Sequence, residues 1–103
     1  MLMRYHRIVM SDLIIYASIV RAQNGKHFHR ISATPKTGSP IILEWEFPVE
    51  MNSFSEALEL LGFPLVQQGP IIDLTQKGIL PLGERTISEE IIDKISKLAR
   101  DAS

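Results

Sequence analysis

The chain has 103 residues, 45% hydrophobic and 22% charged, with 11 Lys and Arg against 12 Asp and Glu and no cysteine. That is room for one domain with one core. It is too apolar for a disordered chain and too close to neutral for a globally basic nucleic-acid binder, and it has no means to make a disulfide, a cysteine zinc site or a thiol nucleophile.

At the N-terminus, Arg4 and Arg7 precede an apolar run that Ser11 and Asp12 interrupt, and Arg21 sits badly before a cleavage site. The pattern of a signal peptide is broken, so a cytoplasmic chain is expected. Residues 1–10 read as an extension or a first strand of a single domain over 1–103. The longest apolar stretch, Leu13 to Val20 broken by Ser18, is far shorter than the roughly 20 residues of a membrane-spanning helix.

Leu13 to Ala22 is rich in β-branched and aromatic residues, and Gln23-Asn24-Gly25-Lys26 separates it from a second such run, His27 to Thr34. Asn-Gly between two runs of this kind predicts a hairpin with a two-residue type I′ turn. That turn sets Ala22 opposite His27, Arg21 opposite Phe28, Val20 opposite His29, Ser18 opposite Ile31 and Tyr16 opposite Ala33. One face then carries Tyr16, Ser18, Val20, His27, His29 and Ile31, the other Ile15, Ala17, Ile19, Arg21, Phe28 and Arg30. Neither face is cleanly polar, so both are expected to be partly covered.

After the Pro35–Pro40 loop, Ile41 to Val49 alternates cleanly. Leu43, Trp45 and Phe47 point one way, Glu44 and Glu46 the other. Ser53-Phe54-Ser55-Glu56 reads as a capping box, followed by the apolar stripe Phe54, Ala57, Leu58 and Leu61 and by Gly62 as a left-handed cap. Leu65 to Gln68, Ile71 to Thr75 and Ile79 to Leu82 are short strand candidates, the last at an edge because Pro81 cannot donate to a ladder. The final helix is expected to start after Thr86 or Ser88, with Thr86-x-x-Glu89 as a second capping box and Ile91, Ile92, Ile95, Leu98 and Ala99 as its buried stripe. The expected fold is α+β: a mainly antiparallel sheet of about five strands with two helices packed on one face, in the order β-β-β-α-β-β-α.

The chemistry is sparse. His27 and His29 share a strand face, as do Glu44 and Glu46, and such a set can ligate a metal or move protons. The simpler reading is a solvated sheet face, so no metal, cofactor or catalytic residue is expected. The glycines stand singly and build no phosphate loop. Charge is more informative. Residues 1–40 hold six basic residues against Asp12 alone, a local +5, whereas residues 41–103 hold five basic and eleven acidic, −6. Arg21, Lys26, Phe28 and Arg30 gather near the hairpin tip, which suits an anion or single-stranded nucleic acid, unless these cations meet the acidic half within the fold or across a dimer. Exposed strand edges also favour partners. The leading expectation is therefore a small non-enzymatic interaction module that binds itself as a homodimer or another protein. The alternatives are anion or nucleic-acid binding through residues 21–30, or a small ligand pocket or enzyme built on Tyr16, His27, His29 and Glu44.

Overall fold

A computed structural model describes residues 12–36, 43–49, 51–63 and 79–102. These form strands β1 (Asp12–Arg21), β2 (His27–Pro35) and β3 (Leu43–Pro48), helix α1 (Ser53–Leu60), strand β4 (Leu80–Thr86) and helix α2 (Glu89–Ala102). The fold is α+β, with every strand pair antiparallel and the sheet order β3-β2-β1-β4. The described residues thus give four strands rather than about five. The candidates at 65–68 and 71–75 lie outside them, and the last strand runs to Thr86, well beyond Leu82.

The first hairpin forms, but not with the predicted turn. Gly25 N–H donates to the Ala22 carbonyl at 3.0 Å, and Ala22 N–H donates to the Lys26 carbonyl at 2.8 Å. Only Gly25 has a positive φ in this loop, +87°, which excludes a type I′ turn with Asn24 left-handed. The result is a three-residue loop ending on a left-handed glycine, braced by a 3.0 Å bond from Lys26 N–H to Asn24 Oδ1. Only one residue then needs positive φ, and glycine adopts it without a Cβ clash.

The extra loop residue moves the register by one. Arg21 pairs with His27, Val20 with Phe28, Ile19 with His29, Ser18 with Arg30 and Tyr16 with Ser32. Every β2 side chain therefore changes face relative to the prediction. Burial explains the choice: Ile31 and Ala33 now lie beside Ala17 and Ile15, all four fully buried, whereas the predicted register would have put Ser32 and Thr34 there.

One sheet face holds the core. Leu13, Ile15, Ala17, Ile31, Ala33, Trp45 and Phe47 are buried against Phe54, Ala57 and Leu58 of α1 and Ile92 and Ile95 of α2. The Trp45 indole N–H donates to Ser96 Oγ at 2.9 Å, tying β3 to α2. The alternation read over β3 holds along its described length.

Helix α1 is capped differently from expectation. Asn52 is its N-cap, without a side-chain bond, and Ser53 is the first helical residue, its buried Oγ unpartnered. Its C-terminus follows the glycine prediction. Gly62 (φ +88°) donates to the Glu59 carbonyl at 2.9 Å and Phe63 to that of Leu58 at 3.0 Å, a Schellman motif with Leu58 and Phe63 both buried. Helix α2 is capped by Ser88, whose Oγ accepts from Ile91 N–H at 3.2 Å. Thr86 instead ends β4 and donates to Asp12 Oδ1, so the Thr86 capping box does not form.

Arg85 was not singled out from the sequence and proves central to the packing. Paired with Leu13 on the helix side of β4, it donates to the carbonyls of Leu61 (3.0 Å) and Gly62 (3.2 Å) at the end of α1, and its guanidinium lies 4.1 Å over the Phe63 ring. Gly83, with φ +150°, makes room for that ring: a Cβ there would stand 3.4 Å from Phe63 Cε1.

Candidate functional site

Both helices lie on one face of the sheet, and among the described residues no helix or strand packs on the other. That open face carries the even-numbered residues of the first three strands. Across it run the rows Tyr16–Ser32–Glu44, Ser18–Arg30–Glu46 and Val20–Phe28–Pro48. An antiparallel sheet facing water usually shows polar residues there. Here Ile14, Tyr16, Val20 and Phe28 interrupt that pattern, each half-buried.

The predicted site residues separate into two sets. Tyr16, Phe28, Arg30 and Glu44 share the open face. Tyr16, Arg30 and Glu44, with Ser18, Ser32 and Ile79, line a depression of about 200 Å³. Ser18 is only 8% exposed, so this depression has a nearly buried hydroxyl in its wall. Ile79 was not predicted to take part, and no local signal marks it; it arrives only through the placement of β4 beside β1. Arg21, His27 and His29 fall on the helix side. The pocket imagined from Tyr16, His27, His29 and Glu44 is therefore not assembled, because the register shift sends the histidines to the opposite face from Tyr16. Lys26 lies at the hairpin tip, in step with the open-face residues Phe28 and Arg30, and is exposed.

Charges on the open face are largely matched. Arg30 forms an ion pair with Glu46, and its Nε lies 3.1 Å from the same carboxylate oxygen. Lys36 pairs with Glu84 at 3.1 Å. Arg30 is thus engaged by a carboxylate, and the cations expected to form one basic patch are divided between two faces.

His29 is half-buried on the helix side of the sheet. Its ring stacks on Phe54 with centroids 4.0 Å apart and planes at 12°, and its Nδ1 is buried without a partner. Burial pushes its pKa below the ordinary 6.5. Above that value both folded and unfolded chains hold a neutral ring. As pH falls through 6.5 the unfolded chain takes up a proton that the folded ring resists, so stability falls until the lowered folded pKa is reached. The urea midpoint should therefore be lower at pH 5.5 than at 7.5, and His29→Phe should reduce that difference. Equal differences in both proteins would contradict this account.

A larger groove of about 610 Å³ runs between the helices, with Leu60 and Leu98 in its floor and Glu56, Glu59, Lys94 and Lys97 on its rims. Its charges are of both signs and spread along two helices, as on an ordinary solvated seam. Among the described residues, no three His, Asp or Glu side chains are grouped to hold a metal ion, and no helix is long and apolar enough to cross a membrane. The chain matches no family model, no curated protein and no solved structure.

Proposed function

We propose that this chain is a small, non-enzymatic interaction module that works through the open face of its sheet, and that its first partner is a second copy of itself. The observation that supports this is the half-buried apolar set Ile14, Tyr16, Val20 and Phe28 on a face where no described element packs. With strands about 4.8 Å apart and about 3.3 Å per residue, four strands offer a footprint of roughly 500 Å². Two such faces would bury on the order of 1,000 Å², near the lower limit of a specific interface, which implies a reversible dimer of moderate affinity. The reading takes the compartment to be cytoplasmic. Anion or nucleic-acid binding ranks second, because Arg21 and His27 point to the helix side and Arg30 is already paired with Glu46.

The test is sedimentation equilibrium over a wide concentration range. The wild-type chain should reach twice its monomer mass, and Phe28→Glu should shift the transition to at least about tenfold higher concentration, since it buries a charge at an apolar contact. Far-ultraviolet dichroism of the variant should be unchanged, because Phe28 lies outside the core. A wild-type protein that stays monomeric at every concentration contradicts the proposal.

A further inference from the structure

On the open face, among the described residues, the ion pairs leave Lys26, Glu44 and Asp12 without an opposite charge, and of these Asp12 is engaged by a hydroxyl. Arg30 is paired with Glu46 and Lys36 with Glu84, and Asp12 accepts the Thr86 hydroxyl. Lys26 at the hairpin tip and Glu44 beside the depression are both exposed, and among the described residues neither side chain has a partner. They cannot meet within one chain. Glu44 stands opposite Ser32, and Lys26 is six residues from Ser32 along β2, roughly 20 Å at the strand rise. Two side chains do not bridge that distance.

The geometry points to a reciprocal contact between two copies, in which Lys26 of each chain inserts at the Glu44 carboxylate and the adjoining depression of the other. It rests on the self-association proposed above. A two-fold axis lying in the interface and across the strands reverses position along the strand while keeping position across the sheet. Placed near Phe28 and Arg30, midway between the two groups, it carries each Lys26 onto the partner's end of the sheet where Glu44 lies, and does so twice per dimer.

The depression suits an ammonium on an aliphatic stem. Its volume of about 200 Å³ is the share of roughly seven waters. Tyr16 and Ile79 offer apolar wall for the methylenes, the hydroxyls of Ser18 and Ser32 and of Tyr16 offer acceptors, and Glu44 offers the charge. The Arg30 guanidinium also lines the depression, but its charge is countered by Glu46. Net charge near the site therefore comes from Glu44. The contact also gives the opposed charges of the two chain halves a use: a basic tip from residues 1–40 meets an acid from residues 41–103.

Sedimentation equilibrium on the full chain tests this with a charge-exchange cycle. Glu44→Lys alone sets two ammoniums together and Lys26→Glu alone two carboxylates, so each should raise the dissociation constant at least about tenfold. The double variant restores opposite charges and should return to within about threefold of wild type. Thermal melts of all four proteins should agree at concentrations low enough for each to be monomeric, since both side chains are solvent-exposed. Single variants that dimerise like wild type, or a double variant no tighter than the singles, would overturn this contact while the open-face dimer stands. A monomeric wild-type protein would overturn the dimer itself and this contact with it.

Discussion

Phe47→Ala should lower the unfolding free energy by about 3–5 kcal/mol, the range for deleting a fully buried aromatic side chain. Phe47 has no exposed surface. It stands opposite His29 and meets the Phe54 ring at 6.2 Å and 58°, a tilted pair that adds to simple burial. Among the described residues strand β3 pairs with β2 alone, so its inward side chains fasten that side of the sheet to the helices. Against a typical total of about 5–15 kcal/mol for a domain, the loss should be visible as a large fall in the urea midpoint. A loss below about 1 kcal/mol would mean that β3 is not anchored through this ring.

Arg85→Ala should cost about 2–4 kcal/mol. Two charge-assisted hydrogen bonds to the carbonyls of Leu61 and Gly62 disappear, and so does the cation over the Phe63 ring. Those carbonyls belong to the negative end of α1, where a guanidinium also opposes the helix dipole. Arg85→Lys should recover only part of the loss, because an ammonium keeps the charge but not the planar fork that reaches both oxygens. Urea denaturation of the two variants checks this. Equal stability of the alanine variant and the wild type would show the fork to be dispensable.

What could be read in the sequence was what local pattern alone decides. The alternation of Leu43, Trp45 and Phe47 with Glu44 and Glu46 follows from the two-residue period of a strand. Gly62 announces a helix end because few other residues take positive φ there. The Asn24-Gly25 pair correctly places a hairpin, yet two turn types compete for it and they differ by one residue of loop. That single residue carries His29 to the helix side, against Phe54, and Arg30 to the open face. A decisive signal was present in the chain: only one register keeps Ile31 and Ala33 level with Ala17 and Ile15 and brings Arg30 out to Glu46. Arg85 was hidden for a different reason. Its partners are backbone carbonyls more than twenty residues away, and such groups leave no mark in residue type. The same holds for the depression, since Ile79 joins Tyr16 and Glu44 only through sheet order. Ser53 and Thr86 each head a Ser/Thr-x-x-Glu spacing, but the helices begin at Ser53 itself and after Ser88. Side-chain spacing suggests a cap, whereas the backbone turn that precedes the helix chooses it.

The central claim is that the face of the sheet opposite the two described helices is the surface through which two copies meet. An isotope-filtered nuclear Overhauser experiment on an equal mixture of labelled and unlabelled chains reads this directly. Cross-peaks between chains should involve the rings of Phe28 and Tyr16 and the methyls of Val20 and Ile14. Contacts between chains that arise only from the outer surfaces of α1 and α2, or none at concentrations where the mass is that of a dimer, would contradict it.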